Sequence, residues 1–177
     1  MPRLAISADH SHMFGREILE HKYPLLYGEI RDIIEGTEVR ERIKISREKA
    51  KEGRPIWSGQ AINPPLERRF RQQGWQKRRE PMQQGTGAWI NVDYCKEKVA
   101  LEAQFGKYAF VLHDFYKFQF LFGKRIIDIG VEIVPSSHLQ REMYTGPANF
   151  DSVQAHMLSH ARNEPPMPIW LIGVDIK

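Results

Sequence analysis

Two apolar runs in the last third of the chain constrain its fold more than any other feature. Residues 125–135 (RIIDIGVEIVP) and 169–176 (IWLIGVDI) are rich in Ile and Val. Near-continuous runs of that kind suit strands buried on both faces, in a sheet covered by helices on each side. Between them, residues 150–162 carry the pattern of an amphipathic helix, with Asn149 or Asp151 as its cap. Strand, helix and strand in that order predict a βαβ unit with parallel strands, right-handed by default.

The rest of the pattern extends this unit. After a turn at residues 84–87, residues 88–94 and 98–105 read as two strands joined by the short turn 95–97. Residues 108–122 are apolar and long enough for a buried helix, and the aromatics at 108, 115, 118 and 122 recur at helical spacing, as core residues do. The first third reads as helical. Residues 13–22 and 25–35 have apolar positions three and four apart, with Pro24 as a break. Residues 38–51 read as an exposed helix or arm, 53–65 as turn-rich, and the basic run 66–79 as a helix. The expectation is one α/β domain over residues 1–177. A helical N-terminal part (1–52) precedes an α/β core (53–177), a mixed central sheet with helices on both faces.

Composition narrows the functional classes. No apolar stretch approaches the ~20 residues needed to cross a bilayer. The opening MPRLAISADHSH lacks the apolar core and cleavage site of a secretory signal. The single cysteine, Cys95, can form no internal disulfide and no thiolate metal cluster. Together these lead us to expect a cytoplasmic protein. The net charge is +4 and the pI about 9.2, a weak pointer to a polyanionic partner. Residues 67–80 (ERRFRQQGWQKRRE) hold six Lys/Arg against two Glu. A solvated helix face accounts for such a run; the sharper reading is a phosphate-contacting surface, with Arg68 and Arg71 its candidates.

The chemistry is concentrated in residues 93–104, DYCKEKVALEAQ. Val99, Leu101, Ala103 and Phe105 alternate with Ala100, Glu102 and Gln104, so one strand face is apolar and the other presents Glu102 beside Gln104, about 7 Å apart. Asp93 ends the preceding strand, and a hairpin folds it back toward the same edge. Phosphodiester cleavage uses such clusters. A divalent cation held by hard oxygen ligands neutralises the transition state and acidifies a bound water. By spacing alone the three residues also fit an ordinary half-exposed hairpin.

The ordered segments around them carry a resemblance. The approach 55–60 and 63–75, LEAQFGKY at 101–108 with Phe110–Leu112, the strand 130–135, the loop and helix at 144–158 and the closing MPIWLIG at 167–173 all take part. The chain resembles the BglII/BstYI family of type II restriction endonucleases, a branch of the PD-(D/E)xK nuclease fold, over about two-thirds of its length. That resemblance implies Mg²⁺, one or two ions per site with Mn²⁺ able to substitute, held by Asp93, Glu102 and the backbone carbonyl of Ala103. Glu102 would bind or activate the attacking water and Gln104 would help to place it. Gln stands where the wider fold carries Lys, so the positive charge must come from the metal and from basic residues such as Lys107.

Loop 141–149 (REMYTGPAN) falls where the family contacts bases, which makes Arg141, Thr145 and Asn149 candidates. Gly146 and Pro147 depart from the polar residues expected there. The implied substrate is double-stranded DNA at a short GATC-centred palindrome. A palindrome cut on both strands calls for a homodimer, for which helix 108–122 could supply part of the interface. A DNA methyltransferase would protect the prokaryotic host. A repair or structure-selective nuclease of the same fold, and an inactive DNA-binding module, are the alternatives.

The histidines carry less. His10 and His12 with Asp9 lie at an expected helix entry without a third ligand at a diagnostic spacing. His156 and His160 share a helix face without a third ligand. Capping or surface roles explain both pairs.

Overall fold

The computed structural model describes residues 1–42, 44–82, 87–159 and 165–177. The chain opens on strand β1 (Leu4–His12), turns through Met13 and Phe14 at positive φ, and enters helices α1 (Gly15–Lys22) and α2 (Pro24–Glu35). A short ribbon, β2 (Lys44–Ile45) with β3 (Pro55–Ile56), leads into α3 (Gly59–Gln72). Strands β4 (Gln76–Pro81), β5 (Trp89–Lys96) and β6 (Val99–Ala103) follow, then helix α4 (Tyr108–Gly123) and strand β7 (Ile129–Pro135). Helices α5 (Ser137–Arg141) and α6 (Phe150–Ser159) precede the last strand, β8 (Ile169–Ile176).

Six strands form one mixed sheet in the order β1-β8-β7-β6-β5-β4. The apolar runs stand at its centre. β7 is buried along its whole length, parallel to β6 on one side and β8 on the other. Each face has its own core. Leu19 of α1, Ile30 of α2 and Phe70 of α3 pack with Leu101, Val131 and Trp170 on one face. Val111 and Phe118 of α4 and Val153 of α6 pack with Ala100 and Leu171 on the other. The mixed sheet with helices on both faces is therefore as expected. No helix among the described residues is long and apolar enough to cross a membrane.

Several elements differ from the sequence reading. The N-terminal part is not wholly helical, because β1 pairs antiparallel with β8 at the sheet edge. Its signal was the alternation Leu4, Ile6, Ala8 against Ala5, Ser7, Asp9, diluted by the two histidines. Residues 38–51 contain no helix among those described; Glu38 bridges to Arg3 and the ribbon follows. The basic run is split. Its first half belongs to α3, which begins at Gly59, and its second half is edge strand β4, separated by Gly74 at φ 84°. Pro64 and Pro65 lie inside α3. Pro65 cannot donate to the Ala61 carbonyl, and the Arg40 amide donates to it instead at 3.4 Å. Charged Lys77, Arg78, Arg79 and Glu80 protect the β4 edge from pairing with another chain. The strand expected from residue 125 begins at Ile129, after Arg125 has turned at φ 57°. Residues 84–86 of the expected turn and 160–162 of the expected helix lie outside the described residues.

Candidate active site

The site is assembled on β6, between an edge bulge and helix α4. β5 and β6 pair through Lys96↔Val99, Cys95↔Ala100 and Tyr94↔Leu101. One further step along that register sets Asp93 opposite Glu102. On its other side β5 pairs Cys95 with Gln76 but Val92 with Arg78, three residues against two. The extra residue falls at Asp93 and Tyr94. A bulge re-aims the side chains it contains. Here Tyr94 is buried against Phe70 with ring centroids 4.7 Å apart, while Asp93 is exposed beside Glu102.

Helix α4 supplies what the strand reading did not contain. Its buried stripe is Val111, Asp114, Phe115, Phe118 and Leu121, with Asp114 the one polar member. The Lys117 ammonium donates to Glu102 Oε1 at 2.8 Å and pairs with Asp114 Oδ1 at 2.7 Å. The Gln104 amide donates to Asp114 Oδ2 at 3.2 Å, and its carbonyl oxygen accepts from the Gly106 N–H at 2.9 Å. Those two partners fix which end of the amide points where. On β7, Glu132 is the register partner of Glu102. Glu102, Asp114 and Glu132 are 3%, 2% and 0% exposed. Neither carboxyl oxygen of Glu132 has a hydrogen-bond partner.

Crowded, desolvated carboxyls resist ionisation. Burial, then the Asp114 and Asp93 charges, push Glu102 up to about 8, with Lys117 opposing. Burial also raises Asp114, and it drives Glu132 well above the carboxylate range with help from Asp114, Glu102 and Asp93. For Lys117 burial works against the charge, yet Glu102 and Asp114 prevail and its pKa rises.

Among the described residues no three or more His, Cys, Asp or Glu side chains form a ready-made metal cage. The donors that are present fit a hard cation of the Mg²⁺ type, which takes one or two carboxylates and fills its remaining positions with water and phosphate. Asp93, Glu102 and the Ala103 carbonyl would hold it. The unpartnered carboxyl of Glu132 behind Glu102 marks the same local excess of oxygen acceptors over cations.

The remaining candidates are distributed unevenly. A cleft lined by Lys44, Gln60, Asn63 and Tyr144 opens beside Gln104. Lys107 is exposed, stands at the residue before α4 and bridges through its backbone to Pro147, which brings loop 141–149 to the site. Thr145 is exposed, but both its amide and its hydroxyl donate to Glu48, at 2.7 and 2.8 Å. Asn149 Oδ1 caps α6 by accepting from the Ser152 amide at 3.0 Å. Arg141 is exposed and shares a pocket with Arg42, Lys51 and Arg54. Arg68 and Arg71 stand apart. They lie eight or more residues beyond Gln60 on α3, roughly 12 Å or more along its axis. Arg71 is paired to Glu67 at 2.6 Å, and Arg68 shares a pocket with Arg3 and Glu38.

The histidines sit elsewhere. His10 and His12 are in β1, not at a helix entry; His12 Nε2 lies 2.7 Å from the Pro165 carbonyl, and Asp9 is paired with Arg16. His156 packs edge-on against Tyr108, and His160 lies outside the described residues. Burial pushes the Cys95 thiol up to about 12, which leaves no thiolate for nucleophilic work.

Asp114, Lys117 and Glu132 were absent from the sequence reading, though each left a trace. Asp114 interrupts an apolar helical stripe, Lys117 follows it three residues later, and Glu132 stands mid-run in an Ile/Val strand.

Comparison with known proteins bears on the family and the fold. The family model described as restriction endonuclease BglII/BglIII matches residues 8–174. A crystal structure of restriction endonuclease BglII complexed with a DNA 16-mer superposes with a TM-score of 0.74 at 17% identity, over 98% of this chain and 75% of that one. Free BglII superposes with a TM-score of 0.68 at 15% identity, over 97% and 78%. No curated protein matches the sequence.

Proposed function

The chain belongs to the restriction endonuclease BglII/BglIII family. From that premise we propose that it is a divalent-metal-dependent type II restriction endonuclease, hydrolysing double-stranded DNA at a short GATC-centred palindrome. The observation that carries the reading is that Glu102 and Gln104 are tied together through Lys117 and Asp114, with the Asp93 charge in electrostatic range of Glu102, while Gln104 also lines a cleft that holds Lys44 and Tyr144. Duplex DNA as the ligand is supported by the related structure solved with a DNA 16-mer.

Asp93, Glu102 and the Ala103 carbonyl would hold the metal, one or two ions per site. When bound, Mg²⁺ or Mn²⁺ would supply positive charge at the scissile phosphate and lower the pKa of a water. Glu102, anchored through one oxygen, keeps the other for orienting that water in line with the leaving oxygen. Gln104 is held by Gly106 and Asp114, so it offers a fixed amide edge rather than a mobile charge. Lys107 serves the phosphates. Arg141, Thr145 and Asn149 line the approach of the bases, and Arg68 and Arg71 are flanking phosphate contacts. Exposed Leu112 and Tyr116, one turn apart on α4, offer a second copy an apolar strip, as a homodimer on a palindrome needs. A methyltransferase of the same specificity in a prokaryotic cytoplasm completes the system.

The test is digestion of a plasmid of known sequence with Mg²⁺, with Mn²⁺ and with EDTA, followed by mapping of fragment ends. Discrete fragments ending at one GATC-containing palindrome, seen only with metal, are expected. Random cutting, or none, overturns the reading.

A further inference from the structure

The strand that carries Glu102 has no cation two positions later, where Gln104 stands. Helix α4 brings one to the same place. Lys117 is 14% exposed and touches two acids at once, Glu102 on the sheet and Asp114 one turn back on its own helix. We propose that Lys117 is the positioning cation of this active site, held by Asp114 and holding Glu102, a charge that neutral Gln104 does not bring to Glu102. The inference rests on the nuclease reading of Glu102.

A stabilising ion pair alone does not explain the arrangement. A buried pair seldom stabilises a fold better than apolar residues of the same volume. The stripe around Asp114 is otherwise Val111, Phe115, Phe118 and Leu121, so an apolar residue there would complete it. Carboxyl groups also outnumber cations here. Lys117 faces Glu102 and Asp114 directly, with Glu132 behind them and Asp93 within electrostatic range. A pair selected for stability would be balanced. An excess of acids around one lysine is what a centre awaiting further positive charge presents.

The network also divides the labour of Asp114. One of its oxygens holds Lys117 and the other takes the Gln104 amide, so a single buried side chain sets both strand residues. Lys117 binds Oε1 of Glu102, which leaves Oε2 for the reacting centre. Asp114 and Lys117 thus act through Glu102 and Gln104 and do not meet DNA themselves.

Single-turnover cleavage of a duplex oligonucleotide, with DNA affinity measured alongside, tests the assignment. Wild type and Glu102→Ala fix the frame: if wild type does not cut with Mg²⁺, the nuclease reading fails rather than this proposal. With that frame in place, Lys117→Met is expected to lower the single-turnover rate constant about 100-fold, the scale of losing one preorganised electrostatic group, with DNA affinity within about threefold. Restoring charge should recover at least tenfold, either by Lys117→Arg or by adding Gln104→Lys to the Lys117→Met chain. The second rescue is the decisive one, since a packing role for Lys117 is not repaired from the strand. Cleavage by Lys117→Met within threefold of wild type overturns the proposal, as does a folded Lys117→Met that neither change rescues. If neither Lys117→Met nor Lys117→Gln folds by circular dichroism, Lys117 is structural and the proposal falls.

Discussion

Glu102 and Glu132 are register partners on the parallel strands β6 and β7, both shut away from solvent, and only Glu102 has a cation on it. The consequence is a stability that depends on pH. Glu132 is raised well above the usual carboxylate range, with burial as the main cause. Between its unfolded and folded pKa the folded chain keeps a proton that the unfolded chain gives up. Stability is therefore full at low pH and declines as pH climbs through that interval, by up to ~1.4 kcal/mol per pH unit for one proton. Glu132→Gln mimics the protonated acid and should flatten the decline. Urea unfolding in EDTA at pH 5, 6.5 and 8 measures it; equal pH slopes for the two proteins would count against a buried acid.

Gly130 controls how closely α4 sits on β7. A Cβ at this position would lie 2.7 Å from the Phe118 ring. Gly130→Ala should cost about 1–3 kcal/mol, the usual range for overpacking. Because Phe118 follows Lys117, cleavage should fall as well. Adding Phe118→Leu makes room, so the double variant should be more stable than the two single losses summed. Simple additivity in thermal or urea unfolding would show that ring and glycine do not press on one another.

The sequence made much of this legible because its strongest signals were chemical extremes. Of the Ile/Val runs at 125–135 and 169–176, the first forms strand β7 from Ile129 onward and the second forms β8 over its whole length. Glu102 and Gln104 followed from period-two alternation with a resemblance to guide it. What stayed hidden depended on pairing between distant segments. The bulge at Asp93 exists only in the register of β5 against β4. Asp114 and Lys117 read as part of an apolar helix until α4 is laid across β6. β1 is hard to read in sequence because Asp9, His10, Ser11 and His12 follow Ala8 without an apolar residue, so the alternation of Leu4, Ile6 and Ala8 ends halfway along the strand.

Lys107 is placed where phosphate contact should matter. It is exposed at the start of α4, and its backbone bridges to Pro147 of the loop beside the cleft. Lys107→Ala should reduce the slope of log affinity against log salt by about 0.9, the effect of one lost phosphate contact on duplex DNA. The change should be the same for cognate and unrelated duplexes, since phosphates carry no sequence. Titrations at four salt concentrations on both duplexes decide it. An unchanged slope places Lys107 outside the footprint.

Asp93 offers the cleanest separation of chemistry from folding. It is exposed, so Asp93→Asn removes a charge without opening a cavity, and stability should stay within about 0.5 kcal/mol. Its charge helps to hold Glu102 in the protonated state, with burial and Asp114 the larger causes. Two effects of the substitution then oppose each other. Glu102 ionises more readily, which favours cleavage; the metal loses a carboxylate, which abolishes it. A cation held by two carboxylates and a carbonyl depends on each of them, so loss should dominate and cleavage should fall by at least ~100-fold, the size of effect seen when one charge-stabilising group is removed. DNA binding measured in EDTA should hold or tighten, because one negative charge has left the neighbourhood of the phosphates. Cleavage within threefold of wild type would remove Asp93 from the metal site and leave the bulge without a chemical purpose.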